Sequence, residues 1–185
     1  MGKKIGLIVG SLRKESFNKK VAHIIMSTIA DDSENTYQII EIGQLPFYNQ
    51  DFDTEGAPST VDDFRVEVAQ HDAFMFITPE YNRSIPGVLK NALDVASRPY
   101  GKSVWNGKPA AIVSVSIGAI GGFGANHHLR QCLTFLNMPA LQQPEMYIGN
   151  ITQLLSEDGT SFKEQQTVDH FKKFIQAFDG WIEKF

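Results

Sequence analysis

Three short stretches of the chain carry the side chains best suited to holding a ligand. The first is Gly10-Ser11-Leu12-Arg13-Lys14-Glu15-Ser16-Phe17-Asn18, which joins an apolar run to a helical pattern. A phosphate at such a junction is held by open backbone N–H groups and by the helix dipole. Ser11, Ser16 and Asn18 add hydroxyl and amide donors, and Arg13 adds a planar, permanent cation that matches phosphate oxygens. Neither GxGxxG nor GxxxxGK[ST] is present. The loop therefore suits a single terminal phosphate, as in a mononucleotide, better than a buried pyrophosphate. The competing reading is capping alone, with Ser16 and Asn18 closing a helix and Arg13 in solvent.

The second stretch is Pro79-Glu80-Tyr81-Asn82-Arg83-Ser84-Ile85-Pro86-Gly87. Two prolines and a glycine fix its shape, and a rigid loop loses little entropy when a flat ligand settles on it. Tyr81 offers a ring face and a hydroxyl; Asn82 offers a donor and an acceptor. A plain turn ending a strand fits these residues equally well. The third stretch runs from Ser116 through Gly118, Gly121, Gly122 and Gly124 to Asn126. Its glycines let a backbone approach a ligand closely or adopt positive φ, although glycines also serve turns alone.

These loops need elements to position them. Ile5 to Val9, Ala73 to Thr78 and Pro109 to Val115 are apolar runs of the kind buried on both faces of a parallel sheet. Tyr37 to Ile42 and, more weakly, Ala140 to Gly149 supply two more strands. Between them lie helical patterns: Val21, Ile24, Ile25 and Ile29, broken by Asp31-Asp32-Ser33; a segment opened by Ser59 or Thr60 as cap; Pro86 to Ala96, with proline at the first position; and Asn126 to Leu136. Gln165 to Phe185 closes the chain with an apolar stripe, and Leu45 to Ser59 is expected as a long loop. Strand and helix alternate through one domain spanning 1–185, which predicts an α/β fold with helices on both faces of a doubly wound sheet. Five strands point to the flavodoxin-like order 2-1-3-4-5, whose ligands bind beyond the carboxyl ends of the strands at the switch point. All three loops fall there, and that coincidence outweighs any one of them.

Composition narrows the classes further. The 185 residues carry a net charge of -4, so no basic face for nucleic acid is expected. One cysteine excludes an internal disulfide framework and a Cys-clustered zinc site. No stretch approaches the roughly 20 apolar residues of a membrane span. The apolar run near the start is too short for a signal peptide, and the sixth residue is Gly6 where a myristoylation signal has Ser or Thr. A cytoplasmic setting is expected.

Taken together, Gly10-Ser11-Leu12-Arg13-x-x-Ser16-Phe17-Asn18, Pro79-Glu80-Tyr81-Asn82-x-Ser84-x-Pro86-Gly87-x-Leu89-Lys90-Asn91-Ala92-x-Asp94 and Ser116-x-Gly118-x-x-Gly121-Gly122 resemble the NAD(P)H-dependent FMN reductase family. That family includes quinone, chromate and azo reductases, and the likeness spans essentially the whole chain. It implies non-covalent FMN, with Ser11, Arg13, Ser16, Phe17 and Asn18 around the phosphate. It implies Pro79, Glu80, Tyr81 and Asn82 against the isoalloxazine, and Ser116, Gly118, Gly121 and Gly122 along its border. It also implies a two-step hydride cycle in which NAD(P)H is replaced by a small-molecule acceptor: a quinone, an azo compound, a metal oxyanion such as chromate, or free flavin. A homodimer is expected, and a homotetramer in some relatives. The chain departs from chromate-reductase-type relatives at Gly124, where they carry arginine, and at His127, where they carry tyrosine; those residues help pair subunits there.

Other groups read as structural. His127 and His128 are adjacent and point about 100° apart on a helix, so they do not chelate one metal. No metal site is expected. Cys132 shares an apolar face with Leu129, Leu133 and Leu136, and Met138 stands where a tyrosine phosphatase needs its arginine. Glu80, Lys90 and Asp94 are assigned no catalytic role, because hydride transfer by a flavin requires no protein base. Two readings compete with an enzyme: a flavodoxin-like electron carrier, and a flavin redox sensor that binds a protein partner.

Overall fold

The computed structural model describes residues 2–30 and 33–185, with side chains left out at 28 and 29. Asp31 and Asp32, expected above as helix breakers, and the side chain of Ile29 lie outside the described residues. Five strands form one parallel sheet: β1 (Lys4–Val9), β2 (Thr36–Ile40), β3 (Ala73–Thr78), β4 (Ala110–Val115) and β5 (Met146–Ile148), in the order β2-β1-β3-β4-β5. β1 is the switch strand, with the chain leaving it for β2 on one side and returning as β3 on the other. Every residue of β3 and β4 is buried, as two-sided coverage requires.

Because side chains alternate along a strand, the sheet feeds two separate cores. On one face Ile5, Leu7, Met75, Ile77 and Val113 pack against α1 (Phe17–Ile24) and α7 (Gln165–Ile182), the latter through Phe171, Phe174 and Phe178. On the other face Ile8, Phe74, Phe76 and Ile112 pack against α3 (Ser59–Ala69), α4 (Gly87–Ala96) and α5 (Phe123–Phe135). Trp105 is fully buried at the centre of this second core. It lies edge-on to Phe74 at 4.8 Å between ring centroids, and its Nε1–H donates to the Leu93 carbonyl at 3.0 Å. Among the described residues no helix is long and apolar enough to cross a membrane.

Several boundaries differ from the sequence expectation, each for a local reason. α1 widens into a π-helical turn over Ile25–Ile29, closed by Ala30 N–H donating to the Ile25 carbonyl at 2.9 Å. α3 starts at Ser59 with Pro58 in the cap position, so neither Ser59 nor Thr60 caps it by side chain. Pro86 likewise precedes α4 as its cap, with extended backbone at ψ 146°. α5 starts at Phe123, earlier than Asn126, because Gly122 takes the left-handed conformation that launches it. β5 is short: Pro144 carries no N–H for a ladder, and Ala140 makes only an isolated bridge to Ala110. A one-turn helix α6 (Ile151–Leu154) follows β5. Cys132 is half-buried, at the margin of the second core.

The expected loop from Leu45 to Ser59 holds a short helix α2 (Phe52–Glu55) and is clamped at two points. Asn91 on α4 accepts from Tyr48 N–H at 2.8 Å and donates to the Pro46 carbonyl at 2.9 Å. Asp53 accepts from Tyr48 OH at 2.9 Å and from Arg98 Nε at 2.8 Å, with Arg65 Nη2 at 3.9 Å. Burial by itself raises the Asp53 pKa; the hydrogen bonds from Arg98 and Tyr48 and the charges of both arginines outweigh it and hold the carboxyl below its usual range.

Two outcomes follow from this packing. Trp105→Ala is expected to cost about 3–5 kcal/mol in equilibrium urea unfolding, and a loss below about 1 kcal/mol would show that the second core repacks around the gap. Asp53 has a native pKa lower than its unfolded one, so its contribution is present above about pH 4 and lost as pH falls through the native value. The stability gap between the wild type and Asp53→Asn should therefore be wide at neutral pH and close as the solution is acidified. A gap independent of pH would rule out the clamp as an ionic one.

Candidate active site

β1, β3 and β4 are adjacent in the sheet, so the loops leaving their carboxyl ends meet at one edge. They enclose a cleft of ≈ 280 Å³. Nine of the thirteen residues expected to contact a ligand line it: Ser11, Arg13, Ser16, Phe17, Asn18, Pro79, Glu80, Tyr81 and Ser116. Val115, Ile117 and Ile151 complete the wall and were not foreseen. Ile151 opens α6, which hangs on the third loop through Ile151 N–H to the Ser116 carbonyl at 3.2 Å. The only sequence signal for it was its place just after a weak fifth strand.

The first loop both caps a helix and presents donors. Ser16 is buried, and its Oγ accepts from Lys19 N–H at 3.3 Å, so it is the N-cap of α1. Asn18 is already the second residue of the helix, two positions past the cap. It is 4% exposed, and its Oδ1 has no hydrogen-bond partner among the described residues. An unpaired buried acceptor costs about 1–3 kcal/mol, and an oxygen so placed at a cleft wall calls for a donor from a ligand, such as a hydroxyl. The same amide carries two N–H donors for a second ligand oxygen. The N–H groups of Phe17 and Asn18 precede the first intrahelical acceptor and have no partner among the described residues. Arg13 lies with its guanidinium carbon 5.0 Å from the Phe17 ring centroid and donates to the Glu15 carbonyl. Its charge is held over the helix start.

The second loop is a tight hairpin. Tyr81 and Ser84 exchange backbone hydrogen bonds at 2.9 and 3.0 Å, and Asn82 and Arg83 at its tip both have positive φ. Asn82 thus serves the turn and does not line the cleft, whereas Tyr81, half exposed, stands at the rim. Glu80 ties this loop to the third one: its Oε2 accepts from Ala125 N–H at 3.1 Å in the first turn of α5, and its Oε1 accepts from Arg83 at 3.3 Å. A carboxylate at a helix N-terminus is favourably placed against the dipole. A Cβ at Gly124 would lie 2.9 Å from both Glu80 Oε2 and the Arg83 carbonyl, so glycine at this position is what lets the two loops touch.

In the third loop Gly118, Gly121 and Gly122 do not line the cleft: Gly118 is exposed, and Gly121 and Gly122 are buried. Gly121 has φ 67°, and a Cβ there would meet the Tyr147 carbonyl carbon at 2.8 Å. The Gly121 carbonyl accepts from Ser114 Oγ at 2.7 Å, inside a buried polar network that reaches Asn126 and Arg130. These glycines shape the wall. Beside it Phe123 packs against His127 at 4.1 Å, and Tyr147 OH meets His127 Nε2 at 3.2 Å. Burial, reinforced by Glu145, pushes the Tyr147 hydroxyl up to about 12. Among the described residues no cluster of metal-ligating side chains is present. Lys90 and Asp94 pair with each other on α4 at 2.7 Å.

Residues 3–153, which include all three loops, match the model of the NADPH-dependent FMN reductases, and the chain belongs to that family. A quinone reductase of Pseudomonas putida is 51% identical across 97% of this chain and 94% of that protein. A 2-hydroxy-1,4-benzoquinone reductase from a Burkholderia species is 43% identical across 98% and 97%. The solved structure of FerB, a flavoenzyme NAD(P)H:(acceptor) oxidoreductase from Paracoccus denitrificans, superposes with a TM-score of 0.90 at 38% identity and 98% coverage of both chains. The protein is an oxidoreductase of flavodoxin-like fold that uses FMN with NAD(P)H.

The residues present fit such a group: open helix-start N–H donors, a fixed cation, and a buried amide oxygen in want of a donor. Asn18→Ala is expected to weaken FMN binding roughly tenfold, as loss of one or two well-made hydrogen bonds would. The flavin-free protein should lose less than about 1 kcal/mol, since an unpaired acceptor is removed along with the side chain. Unchanged FMN affinity with a destabilised apoprotein would reverse that assignment.

Proposed function

We propose that the protein passes two electrons from NAD(P)H to a quinone, working as a single domain in the cytoplasm and as at least a homodimer. The observation that carries this reading is the convergence of Ser11–Asn18, Pro79–Tyr81 and Ser116 on one cleft from three separated segments. The names of the relatives in Pseudomonas putida and Burkholderia support the acceptor class. The overall reaction balances without a protein base: the nicotinamide gives a hydride, the quinone takes two electrons, and the second proton comes from solvent.

Ser11, Ser16, Asn18, Arg13 and the open N–H groups at the start of α1 would hold the phosphate of FMN. Pro79, Glu80 and Tyr81 would lie along its ring system, with Ser116 at the border. When bound, FMN supplies the hydride chemistry, and the protein supplies position and electrostatics. Glu80 would act by holding the hairpin against α5, which makes it a positioning residue. Asn82, Gly118, Gly121 and Gly122 would act in the same indirect way, through backbone shape. At ≈ 280 Å³ the cleft is just below the usual range of ligand pockets, about 300–1,000 Å³, and a flat ring held in it would keep part of its surface open to the reductant and then to the acceptor. Azo compounds, metal oxyanions such as chromate, and free flavin belong in the same acceptor panel. Tetramer formation would have to use a surface with Gly124 and His127 in place of the arginine and tyrosine of chromate-reductase-type relatives.

Purified protein with one FMN per chain should oxidise NADPH with no added reductase, and its reduced form should be reoxidised fastest by quinones in stopped flow. Failure to bind FMN after reconstitution would overturn the assignment, and a requirement for a separate reductase would make the protein a carrier. Arg13→Ala should weaken FMN binding at least tenfold with the fold intact, as expected for loss of a charge-assisted contact.

A further inference from the structure

A recess of ≈ 390 Å³ opens on the outer side of the first loop, and the proposed chemistry does not use it. It shares Ser11, Arg13 and Ser16 with the flavin cleft, so the two adjoin across a common wall. Its remaining wall is Leu12, Lys14, Lys19, Lys20, His23 and Glu41. In a chain of net charge -4, four cations gather here, Arg13 and Lys14 from the first loop and Lys19 and Lys20 from α1. Lys19 pairs with Glu41 at 3.3 Å and Lys20 with Glu15 at 3.4 Å, both acids well exposed. Exposed pairs of this kind contribute little, roughly 0–1 kcal/mol, and exchange readily for a stronger anion. Lys14 is exposed and pairs with no acid among the described residues. Arg13, stacked over Phe17, stands in the wall common to both recesses.

Given the flavin assignment of the neighbouring cleft, on which this inference rests, we propose that the recess is a second phosphate subsite. It would receive the phosphate-bearing end of a dinucleotide, and the 2′-phosphate of NADPH is the occupant its charge favours. A phosphate monoester carries nearly two negative charges at neutral pH; with Arg13 assigned to the FMN phosphate, it would pair with Lys14 and compete with the exposed Glu15 and Glu41 for Lys20 and Lys19. NADH lacks that group, so Lys14, Lys19 and Lys20 become determinants of coenzyme preference. The adenylate half of FAD, whose pyrophosphate carries about one charge per phosphorus, is the other phosphate source and the weaker match.

The test compares the wild type, the double variant Lys14→Ala/Lys19→Ala and the opposite change Glu41→Gln. Binding of 2′,5′-ADP and of FAD is measured by titration calorimetry, and KM is measured for NADPH and NADH. The double variant is expected to weaken 2′,5′-ADP and raise KM for NADPH roughly tenfold, as expected for losing a charge-assisted contact. KM for NADH should move less than about twofold, and Glu41→Gln should tighten 2′,5′-ADP. Loss confined to FAD affinity would keep the subsite and assign it to the flavin's adenylate. Unchanged affinity for both ligands in both variants would overturn it. A parallel FMN titration reads the first cleft separately: FMN failing to bind while 2′,5′-ADP responds would sink the flavin assignment and leave a phosphate subsite standing.

Discussion

Parallel pairing of β1, β3 and β4, each covered on both faces, is the constraint on which everything else depends. Ile5 pairs with Ala73 and Phe74 with Ala110 in continuous register. Strands fully withdrawn from water satisfy their backbone groups only through this ladder. Their side chains alternate into two cores, one anchored by α7 phenylalanines and the other by Trp105. The ladder and the two cores together fix where Gly10, Pro79 and Ser116 leave the sheet. Because all three leave from adjacent strands at the same edge, three loops distant in sequence become neighbours.

Bringing loops together does not by itself fix their shapes. That task falls to a few polar contacts at the ends of the strands. Glu80 closes the second loop onto the first turn of α5, and glycine at position 124 leaves room for that contact. Ser114 holds the Gly121 carbonyl from inside the sheet. Asn91 and Asp53 pin the segment after β2 against α4 and Arg98. Each of these side chains has a partner within the protein, although Asp53 Oδ1, like Asn18 Oδ1 in the cleft wall, has no hydrogen-bond partner among the described residues. What separates scaffold from cleft is place: Asp53 lies beside Arg65 and Arg98, whereas Asn18 stands in the cleft wall.

The charge distribution divides the same edge into two kinds of surface. The cleft presents a mixed wall of hydroxyls, amide, proline and aromatic ring, suited to an uncharged ring system with one phosphate. The recess beyond Arg13 is dominated by Lys14 of the first loop and Lys19 and Lys20 of α1. Both draw on the same stretch of chain, since Ser11, Arg13 and Ser16 line the two alike.

Strand identity, fold class and the three loops were legible in the residues themselves, because buried parallel strands are near-continuous apolar runs and need no knowledge of their neighbours. Ala73 to Thr78 coincides with β3 for that reason. Helix starts were less legible. Ser59 and Asn126 carry cap-like or polar side chains, yet Pro58 and the left-handed Gly122 set the starts of α3 and α5. The division of labour among the loop residues was decided by tertiary structure alone. Nothing local separates Asn18, which faces the cleft unpaired, from Asn82, which is spent on a hairpin tip, or Gly118 from Ser116. Sequence by itself determined which segments are buried and which carry chemistry, since burial and donor type belong to single residues. Which of those groups remain free to meet a ligand was fixed only on folding, because a hydrogen bond belongs to two partners and the second one lies elsewhere in the chain.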